Sequence, residues 1–205
     1  MKRLYEKSPL LFALGSIGLY VVLFSLSDSI SATIGVEKII TAPIGFILCL
    51  AIIFFLAKSG LLKEFGLCKM EKADKNNLFY LPLILILLPN ICFGFNLSVS
   101  PLEALFGVVT MLLVGFLEEV IFRGFLFKAL CKNSLNSAVI ISSVTFGLGH
   151  IVNLLNGSEF FGTLLQICYA TAIGFLFTII FYKTKSLWPC IITHSLVNSL
   201  SVFYN

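Results

Sequence analysis

The chain has 205 residues and a mean hydropathy of +1.04. Apolar residues make up 59% and charged residues 12%, against roughly 45–50% and about 25% in ordinary soluble domains. A water-soluble globule of this size cannot hide so much apolar surface. With a net charge of only +4, this excludes a soluble domain, a disordered chain and a nucleic-acid binder. An all-α, polytopic membrane protein remains, with the lipid bilayer as its first partner.

Lys2, Arg3 and Lys7 precede an apolar run from Pro9 to Leu26. That run is longer than the roughly 7–15 residues of a signal-peptide core, so it reads as a retained first span. Apolar segments then continue at 39–57, 78–95, 102–130, 138–155, 160–182 and 187–203. A span needs about 20 residues, so the chain predicts a bundle of about seven transmembrane helices, with the fifth and seventh short. Pro82 and Pro89 predict a kink in the third. The fourth is overlong, so its end should tilt or project from the bilayer. The longest polar stretch is 58–77, and no separate soluble domain is visible. Cys49, Cys68, Cys92, Cys131, Cys168 and Cys190 form no CxxC pair and fall mostly in apolar runs. They read as small hydrophobes rather than as disulfides or a zinc site.

Charge sets the orientation. Twelve of the fourteen Lys and Arg residues fall in the N-terminal segment, the 58–77 loop, the turn after span four and the turn after span six. Lys38 stands alone on the other side, and Arg123 lies inside span four. The positive-inside rule then places the N-terminus in the cytoplasm.

An ionisable group inside a span is costly and marks function by default. Span four carries Glu118, Glu119 and Arg123, span five carries His150, and span seven carries His194 and Asn198. The chain has two histidines, and both are intramembrane. By helical rise, Glu118 lies about 18 Å from Leu130, His150 about 18 Å from Ala138, and His194 about 10 Å from Leu187. The three groups can therefore meet near the midplane or in the inner half, in a site expected to open to the cytoplasm. Glu119 and Arg123 are spaced i,i+4 with the acid first, so they read as a structural ion pair. Glu118 is rotated about 100° away on an α-helix. With no cation beside it in its own helix, it is the carboxylate left for chemistry. Ser143, Gly147 and His150 share a face on which small residues admit a close neighbour. His194, Asn198 and Ser201 form a polar stripe. Ser143, Ser201 and Gln166 are candidates for support or packing, and Trp188 is a candidate interface anchor. Asp28, Glu103 and Glu159 sit at span margins, where solvent reaches them.

Each feature alone also has a bland reading, as a protonated packed acid or a satisfied interhelical hydrogen bonder. Together, one carboxylate, two imidazoles and an amide on three inward faces describe a hydrolytic site. HExxH, a phosphate-binding loop and a dinucleotide fingerprint are all absent.

Three motifs occur in order: EExxxR at Glu118–Arg123, FxxxH at Phe146–His150 and HxxxN at His194–Asn198. In this order and spacing the chain resembles the CAAX protease and bacteriocin-processing (CPBP or Abi) family of intramembrane endopeptidases, which includes the Ras-converting CAAX endopeptidase. The likeness covers about residues 78–203 and implies a protease core over 78–205. Residues 1–77 then supply two N-terminal transmembrane helices and a basic cytoplasmic loop. It implies Glu118 as the general base that activates water, and His150 as the holder of that water or of a metal. His194 and Asn198 would stabilise the oxyanion, or His194 would join the metal, while Glu119 and Arg123 hold the site in shape. Glu118, His150 and His194 would make a two-His, one-carboxylate Zn2+ set; the competing reading uses no metal.

The expected function is therefore an intramembrane endopeptidase, metal-dependent or not, in a bacterial plasma membrane. Its substrate would be a membrane-embedded or lipidated peptide, with bacteriocin self-immunity as one role. Two alternatives remain from other classes: a non-catalytic immunity or regulatory scaffold, and a proton-coupled transporter. The oligomeric state is not written in the sequence.

Overall fold

Helix boundaries fall where the sequence supplies caps. Ser8 accepts a hydrogen bond from the Leu11 N–H, and Pro9 follows at the first helical position. Ser100 and Pro101 repeat the device, which satisfies an orphan donor where proline has none to lose. The structure, a computed structural model, describes residues 2–70, 80–92 and 98–203. All its regular elements are helical. A short α1 (Lys2–Lys7) leads into α2 (Pro9–Ile34) and α3 (Thr41–Ser59). Two single-turn pieces follow, α4 (Leu81–Leu85) and α5 (Leu88–Cys92). A long rod comprises α6 (Pro101–Glu118), a π-helix (Glu119–Phe127) and α7 (Lys128–Cys131). Then come α8 (Leu135–Gly149), α9 (Val152–Leu155), α10 (Phe160–Thr184) and α11 (Trp188–Ser201).

The all-helical membrane bundle is borne out. Five helices among the described residues are long and apolar enough to cross a bilayer, where the sequence analysis counts about seven. The expected third segment is broken into α4 and α5, and parts of it lie outside the described residues. Pro89 accounts for the break between α4 and α5, since it removes a backbone donor and crowds the turn that ends at Leu85, while Pro82 stands at the start of α4, where a proline is tolerated. The expected seventh becomes α11, whose 14 residues rise only about 21 Å. The overlong fourth segment is one rod of 31 residues and is the most buried of the five.

Large apolar side chains face outward all round, among them Phe54, Phe161 and Leu165. In water such a surface would drive aggregation; against acyl chains it has no such cost. The tightly packed interior sits at the end of the bundle that carries the lysine-rich loops. There Phe12, Phe65 and Phe125 meet edge to face, with ring centroids 5.0 Å (Phe12–Phe125) and 4.9 Å (Phe65–Phe125) apart. The segment after α3 is tied beneath α11: the Leu187 N–H donates to the Gly66 carbonyl at 2.8 Å, and the Ser186 hydroxyl to the Cys68 carbonyl at 2.8 Å. Gly66 has φ +79, and a Cβ there would run into the Phe181 ring. Only glycine permits both this backbone and this closeness.

Small residues dock α8 on α10 as the sequence analysis expects. Ser143 packs against Gly174, and Gly147 against Thr171 and the Ile167 carbonyl. On α11, the Ser195 hydroxyl donates to the Leu112 carbonyl of α6 at 3.0 Å, an interhelical link of the kind that lipid-facing bundles use. At the start of α10, Glu159 is exposed, as expected. The N–H groups of Gly162 and Phe161 hold its carboxyl below the usual range.

A Cβ added at Gly147 would lie 2.8 Å from the Ile167 carbonyl oxygen. Gly147→Ala should therefore lower stability by about 1–3 kcal/mol through overpacking. Gly15→Ala, where nothing stands within 4 Å, should leave it unchanged. Thermal unfolding in detergent compares the two.

Candidate active site

The junction between α6 and the π-helix of the central rod sets the site's geometry. Glu118 closes α6, and Glu119 opens the π-helix, all nine residues of which are buried. π-turns inside α-helices recur at functional sites because the wider ladder re-aims side chains. Here the segment sends two adjacent glutamates to two environments. Glu119 is fully buried with Arg123, whose Nη1 donates to Glu119 Oε1 at 2.9 Å. The expected i,i+4 pair is thus present.

His194 joins it from α11. Its Nδ1 lies 2.8 Å from the same Glu119 Oε1, so the ring is held by a carboxylate that already carries an arginine. With Nδ1 donating to Glu119, Nε2 is turned to Glu118, 3.6 Å from Oε2. That gap is too long for a hydrogen bond. The other oxygen of Glu118, Oε1, accepts from the Tyr20 hydroxyl of α2 at 2.8 Å. His194 therefore stands between the two glutamates.

Arg123 is satisfied in an unusual way. Its Nε and Nη2 have no hydrogen-bond partner, but the guanidinium lies 4.1 Å from the centroid of the Phe146 ring and 5.6 Å from that of Phe177. A desolvated cation over an aromatic face gains about 2 kcal/mol or more. Phe146 also stands between the two histidines, its centroid 5.7 Å from each ring. The phenylalanine of FxxxH thus has a physical task as the spacer of the site.

A cavity of about 690 Å³ lies above this cluster. Glu118, His150, His194 and Asn198 all line it, so the structure brings the four expected residues to one space. Glu119 and Arg123 lie beneath, outside the lining. His150 differs in detail from the expectation: it caps the end of α8 rather than sitting inside a helix, and it is half-buried. Gln166 joins the wall, where its Oε1 accepts from Asn153 Nδ2 at 2.8 Å. The Ser143 and Ser201 hydroxyls instead donate to carbonyls of their own helices.

One expectation is corrected. Asp28 is not simply solvated: it pairs with Lys38 at 2.8 Å and accepts from Thr41, at the rim of the cavity. The cavity runs away from the lysine-rich end. On α2 its lining extends from Tyr20 to Asp28, on α6 from Glu118 back to Thr110, and on α11 from His194 to Ser201. Each of these stretches climbs toward the loop that holds Lys38. The packed phenylalanines close the opposite end.

Sequence reasoning missed Tyr20. Its helix lies outside the motif region, and a single tyrosine in an apolar span looks like core. A usable signal was present, because a buried tyrosine hydroxyl needs a partner. Among the described residues no group of three or more His, Cys, Asp or Glu is placed to hold a metal ion.

Comparison with known proteins agrees with the motif likeness. Residues 100–200, just under half of the chain, match the family described as type II CAAX prenyl endopeptidase Rce1-like. The Bacillus subtilis protein named "Putative membrane peptidase YdiL" is 33% identical over 96 residues, which cover 46% of this chain and 35% of the relative. No solved structure matches the chain.

Removing Arg123 leaves a buried carboxylate without its cation, a loss of about 3–5 kcal/mol for pairs of this kind. Arg123→Leu should destabilise the protein accordingly. The double variant Glu119→Gln/Arg123→Leu should recover part of the loss, as chemical unfolding in detergent would read.

Proposed function

We propose that this Rce1-like protein is an intramembrane endopeptidase in which Glu118 activates water without a metal. One observation carries the reading: Glu118 Oε1 is tied to Tyr20 while Oε2 faces His194 Nε2 at 3.6 Å, on the floor of a cavity. Peptide hydrolysis needs a base for the water, donors for the developing oxyanion and a proton for the leaving amine. Glu118 is the base. His150, on the facing wall, holds the same water. As the water oxygen bonds to the scissile carbon, its proton passes to Glu118. The carbonyl oxygen then carries the negative charge and accepts from the Asn198 amide.

Glu118 passes the proton across to His194 Nε2, which joins the oxyanion donors. The proton then leaves on the amine as the C–N bond breaks. Glu119 keeps the imidazole oriented by accepting from Nδ1, and Arg123 holds Glu119 in place. Tyr20 is a positioning residue, acting through Glu118. The donor set gives no reason to route a step through Zn2+. The substrate is a peptide with an apolar or lipidated segment able to enter a bilayer-embedded cavity, and peptide processing in a bacterial plasma membrane is the role that fits.

Glu118→Gln should lower kcat for cleavage of a reporter peptide by about 10²–10⁴-fold, the range of one general base, with normal folding in detergent. Unchanged cleavage would remove Glu118 as the base, and absence of cleavage by the unaltered protein would move it to the scaffold class. Tyr20→Phe removes one hydrogen bond to a carboxylate, worth about 1.5–3 kcal/mol. It should lower kcat by roughly tenfold or more with little change in KM. Treatment with a chelator should leave turnover intact, and loss that zinc restores would return Glu118, His150 and His194 to the role of ligands.

A further inference from the structure

We infer that the cavity is loaded from the non-cytoplasmic face of the membrane, so that its substrate is a polypeptide segment already exported or lying in the outer half of the bilayer. The inference rests on the peptidase reading for the word substrate, but on independent observations for the side. One is the direction of the cavity. From the floor at Glu118 and His194 the lining rises to Asp28, Lys38, Asn156 and Ser201. Asn156 and Ser201 are exposed, and both belong to the end of the bundle where α2 meets α3 and α8 meets α10.

The next is closure of the other end. Between Glu118 and the lysine-rich loops lie Phe12, Phe65, Phe125 and Phe181, each under 5% exposed. The Gly66–Leu187 and Cys68–Ser186 hydrogen bonds fasten the segment that covers them. A peptide arriving from that side would have to displace this whole aromatic layer.

The last is charge. Lys58, Lys63, Lys69, Lys128, Lys132, Lys183 and Lys185 all follow or precede helix ends on the closed side, whereas the open side has Lys38 between α2 and α3. Even that lysine is paired with Asp28. The positive-inside rule assigns the closed side to the cytoplasm. A lipidated tail made in the cytoplasm would face the aromatic floor, whereas an exported segment would face the open rim with its amides Asn153, Asn156 and Asn198. The site expected from sequence to open to the cytoplasm is thus turned the other way.

The test is thiol labelling of intact cells with a membrane-impermeant maleimide, read by mass spectrometry of labelled peptides so that the native cysteines can stay. Asn156→Cys reports the rim, Ser25→Cys the cavity wall, and Asn133→Cys the turn after α7. Asn156→Cys and Ser25→Cys should label without permeabilisation, and Asn133→Cys only after it. The reverse pattern overturns the inference, and so does a Ser25→Cys thiol that stays unlabelled in both conditions. If Ser25→Cys does not accumulate, Ser201→Cys on the opposite wall takes its place with the same two readings. Peptide cleavage by the purified Glu118→Gln variant is scored separately. Loss of the labelling pattern removes the side of entry and leaves the peptidase; absence of cleavage by the unaltered protein, measured beside the variant, removes the peptidase and leaves the open side.

Discussion

The bundle is organised around one buried carboxylate. Glu119 and Arg123 are both fully buried, and the cost of taking such charges out of water is several kcal/mol per ion even after relaxation. Their attraction offsets that cost only with good geometry and further partners. The partners come from three other places: His194 on α11 and the rings of Phe146 on α8 and Phe177 on α10. A single desolvated pair therefore obliges three more helices to arrive in register. Those helices carry His150, His194 and Asn198, so the requirement that keeps the charges buried also assembles the cavity floor.

The π-helix makes the two glutamates distinguishable. Adjacent residues on a helix point in directions about 100° apart, which already separates Glu118 from Glu119. The wide turn begins between them and keeps every side chain from Glu119 to Phe127 in the interior. Glu118, on the last ordinary turn, stays at the cavity. His194 uses its two nitrogens to touch both worlds: one is fixed by a buried acceptor and the other is presented to the cavity. If Nδ1 donates to Glu119, Nε2 and Glu118 Oε2 are both acceptors.

Much of this was legible in the sequence because lipid makes polar residues conspicuous. Glu119–Arg123 was readable from spacing, and the meeting of Glu118, His150 and His194 from depth along each span. The docking of Ser143 and Gly147 followed from residue size. Other features left no comparable trace. The π-helix has no composition of its own, and nine buried residues in a row look like an ordinary apolar stretch. Tyr20 lies about a hundred residues from the acid it holds, in a helix that carries no motif. The third apolar segment passed a length test that Pro89 defeats. The direction of the cavity was not legible either, since depth counted along a helix says which groups share a level but not which side of that level is filled.

That last point has a physical cause in how the aromatics are distributed. Phenylalanine is scattered through the chain, and nothing in its spacing separates a lipid-facing ring from a packed one. In the fold, Phe12, Phe65, Phe125 and Phe181 converge at one end because the segment after α3 turns inward at Gly66 and is fastened under α11. The other end has no such plug; its walls carry Asn153, Gln166 and the Asp28–Lys38 pair instead. A bundle filled at one end and polar at the other admits a hydrophilic backbone from one side only. Glu118 stands at the boundary between those halves, on the cavity floor. Under the proposed mechanism, the asymmetry of packing, rather than the motif alone, sets where along a substrate the base acts.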